Sequence, residues 1–243
     1  MLRTRQILKS GVRFTAFLGA GRPMPWQMDS LLDIGSREIF TDEHDKEREK
    51  FRAFWQSVDR ERVMRFEDEG IVDRDFWVEA GKAGVIGIET PAELGGWGKD
   101  FYTHCIAMEE QFQAGVPGNF LGQSDLVLPY IAHYGTPEQC EKYVRPLRDG
   151  TMCGALAMTE PGAGSNLQGM KTFAERDGDD FILNGSKVFI TGGINADMVL
   201  VCALTDKTAE KAAHGISIFC VDTNLPGFKK GRNLKKIGLK VSS

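Results

Sequence analysis

The sequence predicts an α+β protein in which a helical first half gives way to a β domain near Gly150. Three observations carry this reading. Apolar residues recur at helical spacing up to about Gly150 and at alternate positions after it. The first half holds helix starts and stops in matched pairs, closed by Gly84 and Gly115. The second half holds Asp177-Gly178 and Asn184-Gly185, dipeptides that accept the backbone angles of tight hairpin turns. A chain of 243 residues holds one large or two modest domains. The change of period favours two, residues 29–151 and 152–243, after a leader of residues 1–28.

The leader holds Arg3, Arg5, Lys9, Arg13 and Arg22 and no acid before Asp29. Arg5, Lys9 and Arg13 would stack in one stripe of a helix, with Leu8, Val12, Phe17 and Leu18 left for an apolar side. That is the make-up of a mitochondrial transit peptide, although it is poorer in serine than most; a solvated basic terminus is the alternative. Charge interrupts the apolar stretch that a secretory signal would need.

Thr41 is a good N-cap, and Asp42 and Glu43 follow where the helix dipole favours negative charge, so a helix is expected from Thr41 to about Met64. Phe51, Phe54, Trp55 and Val58 give it one buried stripe. A second helix is expected over Arg74–Ala83, then a glycine-rich loop over 91–98. A third is expected from Phe101 to Ala114, with Ile106, Ala107 and Phe112 among its apolar residues. Leu121 to Tyr134 reads as a mostly buried helix that Pro129 kinks or starts. Thr136-Pro137-Glu138-Gln139 forms a capping box for a last helix through about Leu147.

Strands are expected over Lys171–Glu175, Phe181–Leu183 and Lys187–Thr191, the last following an Asn184-Gly185 turn. Met198–Leu204 and Ile216–Val221 are continuous apolar runs rich in β-branched residues, as in well-covered strands. No repeat and no low-complexity tract interrupts the chain.

Composition excludes several functions. Hydrophobic residues make up 42% and charged residues 26%, ordinary for a soluble globular protein. No apolar run reaches the roughly 18 residues a membrane helix needs, so no transmembrane segment is expected. Without the leader's five cations the formal net charge moves from −4 to about −9, which argues against nucleic acid as a partner. Cys105, Cys140, Cys153, Cys202 and Cys220 are odd in number, widely spaced and without a CxxC pair. They read as buried apolar residues in a reducing compartment and support neither a disulfide framework nor a metal site. His44, His104 and His133 are read as structural.

The segment that draws attention is Leu156-Ala157-Met158-Thr159-Glu160-Pro161-Gly162-Ala163-Gly164-Ser165. Small residues after a proline leave main-chain N–H groups uncovered and let a ligand approach the backbone, which suits a pyrophosphate or the edge of a flavin. By composition alone it reads equally as a turn between strands. It lacks the third glycine of a dinucleotide-binding fingerprint and the Gly-Lys-Ser/Thr of a P-loop.

This string resembles the flavin-binding signature of the acyl-CoA dehydrogenases. The resemblance continues through Asn184-Gly185-Ser186-Lys187-Val188-Phe189-Ile190-Thr191 and Ala213-His214-Gly215-Ile216-Ser217, and backward to Asp33-Ile34-Gly35 and Phe40. Phe189-Ile190 and Ala-His-Gly-Ile-Ser look closer to the long-chain enzyme than to the medium- or short-chain ones. It implies an antiparallel, barrel-like middle domain and FAD as cofactor. Leu156 to Ser165 would lie along FAD, with the main chain of Met158, Thr159 and Glu160 and the Thr159 hydroxyl donating to the flavin's pyrimidine edge. Phe189 and Ile190 would cover one face of the ring, and Thr191 would reach N5. Ser165, Ala213 and His214 would face the substrate, long-chain acyl-CoA. Asn166 stands where relatives usually carry aspartate, which removes a negative charge beside the cofactor loop.

The resemblance further implies α,β-dehydrogenation of acyl-CoA to 2-enoyl-CoA in the mitochondrial matrix, electron-transferring flavoprotein as acceptor, and a homotetramer. In the family the proton-abstracting glutamate lies in a C-terminal four-helix domain beyond the matching region, so no catalytic residue is assigned here. The expectation is a truncated product, a shortened isoform or an incomplete gene model, inactive alone. Glu109 and Glu110 read as a solvated helix face. Two alternatives stay open: a non-catalytic flavin-binding or interaction fragment, and an enzyme of the acyl-CoA oxidase type.

Overall fold

The computed structural model describes residues 39–242. The leader expected at residues 1–28, with the Asp33-Ile34-Gly35 match, lies outside them. The chain divides into two compact units, 1–49 and 50–243. In the described part of the smaller one, the Thr41 hydroxyl accepts from the His44 N–H at 3.4 Å while the Thr41 N–H donates to His44 Nδ1 at 3.0 Å. This reciprocal cap starts helix α1 (Asp42–Gln56), as its sequence announces.

In place of one helix through Met64, the structure has two. α1 stops at Gln56, and Asp59 opens α2 (Arg60–Glu69) by accepting from the Arg62 N–H at 2.8 Å. The acid at 59 therefore acts as a second cap rather than a surface charge within one long helix. α3 (Arg74–Ala83) and α4 (Phe101–Ala114) keep their expected bounds, each closed by a glycine with positive φ, Gly84 and Gly115. α5 (Phe120–Gly122) passes through a π-turn (Gln123–Val127) into α6 (Leu128–Tyr134). Pro129 sits in the first turn of α6, so the wide turn lies where a proline N–H could not have donated. α7 (Pro137–Arg148) starts on the capping box read from Thr136 and Gln139, with both of its hydrogen bonds present.

These helices close on a core of aromatic rings. Trp55, Phe66, Phe76 and Phe120 are fully buried, with ring centroids 5.7 Å apart for Trp55–Phe120 and 5.4 Å for Phe66–Phe76. Glu110 is not on a solvated face. It is 2% exposed and held by a two-pronged bond from Arg52 at 3.0 and 3.1 Å, while Phe112, read as apolar, is exposed.

Among the described residues the sheet has five strands: β1 (Gly154–Ala157), β2 (Phe173–Asp177), β3 (Asp180–Asn184), β4 (Met198–Leu204) and β5 (Ile216–Asp222). β4 is central and almost wholly buried. β5 runs antiparallel along one side of it, β1 runs parallel to its first four residues on the other, and β2 meets its last residue at Leu204. The sheet is therefore mixed, with its antiparallel pairs at β2–β3 and β4–β5. β1 was not foreseen, because its residues were read only as part of the cofactor string. β5 is half-buried rather than well covered, because among the described residues only β4 pairs with it.

The Asp177 turn forms as expected. Asp177 pairs with Asp180 around Gly178-Asp179, and Gly178 has φ 63°, the pattern of a type II′ loop. The second expected hairpin does not form. Asn184 ends β3, and residues 185–190 run on without a strand partner. Gly185 serves close approach: a Cβ there would collide with the Thr172 side chain.

Candidate functional site

β1 delivers the glycine-rich loop. Ala155 and Ala157 are buried against Val199 and Val201 of β4, which seats Leu156–Ala157 as a rigid stem. The stem is itself anchored by Gln123 of the π-turn, whose side chain accepts from the Gly154 N–H at 2.7 Å and donates to Leu147 O at 2.6 Å. Gln123 is fully buried, and nothing in its sequence surroundings marked it.

Past the stem the chain folds over Glu160–Ala163, which exchange main-chain hydrogen bonds of 2.9 and 3.1 Å. Ala163 is buried with Met170 and Cys202, and Met158, Leu167 and Ile216 pack against them. The loop thus has an inner and an outer side. Pro161, Gly162, Gly164, Ser165 and Asn166 are exposed. A Cβ built on Gly162 or Gly164 would meet nothing within 4 Å, and the N–H groups of Gly162, Gly164 and Ser165 donate to no main-chain acceptor among the described residues. An open backbone surface with unused donors fits a flat ligand that accepts hydrogen bonds.

Glu160 holds this loop to the segment carrying Phe189. Its carboxylate is buried, accepts from the N–H groups of Lys171 and Thr172 at 2.7 and 3.0 Å, and pairs with Lys187 Nζ at 2.9 Å. Burial alone would raise its pKa, but donors from Thr172, Lys171 and Lys187 outweigh that and bring it down to about 2. Lys187 also donates to Met158 O at 3.0 Å, and the Val188 N–H donates to Thr159 O at 2.9 Å. Sequence spacing offered no sign of the Glu160–Lys187 pair, although both residues stood in the matched strings.

Phe189 follows with φ 58°, a conformation few bulky residues adopt, and the residue is 75% exposed. Ile190 turns inward against the Ala155–Val199 cluster, while Thr191 is exposed. A free aromatic ring is therefore presented beside the open loop by a locally strained backbone. Ala213 and His214 lie exposed on a short turn, Ala212–Gly215, that leads into β5. Ile216 ties the end of that turn to the Ala163 cluster, but no hydrogen bond or ion pair joins Ala213 or His214 to Ser165. The structure thus draws together 156–165 and 187–190, and leaves Ala213 and His214 at their margin.

All five cysteines are free; Cys140, Cys153 and Cys202 are buried and the other two half-buried. Burial pushes the Cys153 thiol up to about 12. No helix among the described residues is long and apolar enough to cross a membrane.

Two family models match the chain, acyl-CoA dehydrogenase N-terminal domain over residues 41–151 and acyl-CoA dehydrogenase middle domain over 155–243. The chain belongs to the acyl-CoA dehydrogenase family. Among curated relatives of this family, the long-chain specific acyl-CoA dehydrogenase, mitochondrial, of Sus scrofa is 49% identical over 212 residues, which cover 87% of this chain and 49% of that protein. The chain spans about half the length of the curated relatives it matches. Among solved structures, an acyl-CoA dehydrogenase from Geobacillus kaustophilus superposes with a TM-score of 0.80 at 38% identity, over 84% of this chain and 54% of that one. A glutaryl-CoA dehydrogenase from Mycobacterium smegmatis in complex with FADH2 superposes with a TM-score of 0.75 at 30% identity, over 84% and 51%.

Proposed function

We propose that this chain is the flavin-binding part of a long-chain acyl-CoA dehydrogenase, with FAD laid along Leu156–Ser165. The observation that carries the reading is the open outer side of that loop, where Gly162 and Gly164 leave room and N–H groups donate to no main-chain acceptor among the described residues. The long-chain dehydrogenase of Sus scrofa supports the substrate class, and the FADH2 complex of the glutaryl-CoA enzyme supports the cofactor.

When bound, FAD would accept a hydride from the β-carbon of the acyl chain. The chain's own residues orient and insulate. The main chain of Met158 and Thr159, with the Thr159 hydroxyl, would donate to the pyrimidine edge, where negative charge must be stabilised, whereas the Glu160 N–H expected to join them is already given to Ala163 O at 2.9 Å. Phe189 and Ile190 would cover one face of the ring, and the Thr191 hydroxyl would reach N5. Ser165, Ala213 and His214 face the acyl-CoA. Electron-transferring flavoprotein is the proposed acceptor, a homotetramer the proposed assembly and the mitochondrial matrix the proposed compartment; relatives named as mitochondrial and the basic composition of the first 28 residues support the last.

Proton abstraction at the α-carbon needs a carboxylate with a pKa near working pH. Glu160, the one carboxylate on the loop, is buried in an ion pair with its pKa near 2, far too weak a base. It is a structural anchor, and these 243 residues by themselves are expected to hold flavin without turning over substrate.

Two measurements test this. The purified chain should carry the visible absorbance of bound flavin, and a colourless protein that takes up no added FAD would overturn the cofactor assignment. Electron transfer from palmitoyl-CoA to an artificial acceptor should stay at background, and measurable turnover would show that a base among these residues had been missed.

A further inference from the structure

We propose that Glu89, His104 and Asp125 form a binding site for a divalent metal ion, with zinc(II) the best match to its donors. One ligand atom from each lies within 4.8 Å of the others. The His104 side chain is 3% exposed, whereas Glu89 and Asp125 are 44% and 37% exposed and can adjust. Nε2 of His104 stands 2.7 Å from Asp125 Oδ1 and Nδ1 stands 3.8 Å from Glu89 Oε1, yet neither ring nitrogen makes a hydrogen bond. A buried imidazole normally has both nitrogens satisfied. With neither engaged, one of the two nitrogens can serve as the single imidazole ligand of an ion that both carboxylates reach.

The three residues come from elements already tied together. Glu89 follows buried Ile88 on a loop fixed by the Lys99 N–H donating to Ile88 O at 2.9 Å. His104 lies in the first turn of α4, which Asp100 caps by accepting from the Thr103 N–H at 2.9 Å. Asp125 lies in the π-turn, and its neighbour Ser124 accepts from the Gly87 N–H at 2.8 Å, binding that turn to the Glu89 loop. The backbone is thus set before any ion arrives, and only two exposed carboxylates need move. π-Turns recur at functional sites because they re-aim a side chain without ending the helix.

One imidazole and two carboxylates suit zinc, which takes nitrogen at about 2.0–2.1 Å and carboxylate oxygen at about 2.0–2.2 Å in a tetrahedron, with water in the fourth place. Magnesium and calcium prefer all-oxygen shells. The site shares no residue with the loop at 156–165, so its effect would be to clamp the Glu89 loop, α4 and the π-turn. Reading His104 as merely structural followed from sequence, because no ligand spacing links three residues so far apart.

The test uses the full chain stripped by chelator and titrated calorimetrically with zinc chloride and, separately, magnesium chloride. One equivalent of zinc should bind and raise the melting temperature, with at least tenfold weaker binding and no rise in both Glu89→Gln and Asp125→Asn. Both positions are exposed, and melting in EDTA verifies that each variant folds. Zinc uptake that is absent in the unaltered chain, unchanged in both variants, or matched by magnesium would overturn the proposal. The flavin spectrum of the same samples is a separate readout and should not change with zinc.

Discussion

Glu160 shows how one residue does different work from what its place in a motif suggests. Its three side-chain contacts, to Lys171, Thr172 and Lys187, hold the loop and the Lys187 segment in one arrangement, so Glu160→Gln should destabilise the chain by about 3 kcal/mol, as breaking a buried pair does. The pH dependence follows in sign. The carboxylate's pKa is depressed from 4.5 to about 2 on folding, so its stabilisation is complete above 4.5 and fades as pH falls toward 2. Urea titrations at neutral pH and between those limits should show the loss in the unaltered chain and a shallower one in the variant. Glycines separate ligand space from packing at the same scale. Gly162→Ala and Gly164→Ala meet open space and should alter stability by less than about 0.5 kcal/mol while lowering flavin retention. Gly185→Ala meets the Thr172 side chain and should cost about 1–3 kcal/mol by urea unfolding.

At the scale of elements, local chemistry set most boundaries. The Thr136 capping box and the glycines after α3 and α4 stop and start helices where they stand, because they satisfy end groups within a few residues. Errors arose where one dipeptide or one acid has two uses. Asp59 ended a run that looked continuous, and Asn184-Gly185, a turn signal in isolation, lies in an extended segment because Glu160 and Thr159 draw Lys187 and Val188 away from β3. Gly178 is the true hairpin glycine. Gly178→Ala should cost about 1–2 kcal/mol by urea unfolding, since its φ of 63° is a backbone conformation that L residues rarely adopt, although the added Cβ would meet no neighbour.

Across the whole of residues 50–242, helices and sheet are joined by a few polar ties. Asp197 accepts from Arg74 Nη2 of α3 at 2.6 Å and from the Cys153 N–H at 2.7 Å, and Asp222 at the end of β5 accepts from Lys142 and Tyr143 of α7 at 2.7 and 2.9 Å. Asp197→Ala would leave the N–H of buried Cys153 unpaired, so it should lower stability by about 1–3 kcal/mol in urea unfolding. If α3 and β1 were independent of each other, the loss would be no larger than that of an exposed acid.

The sequence by itself determined the switch from helix to strand, most helix ends and the segment that carries the candidate cofactor loop, because period, caps and small residues act over a few neighbours. Only the tertiary structure decided that the sheet is mixed, that Glu110 and Glu160 are buried in ion pairs, that Phe189 stands exposed beside an open loop, and that Glu89, His104 and Asp125 converge. Those outcomes depend on residues distant in the chain, and burial and electrostatics between them arise only once packing has brought them together.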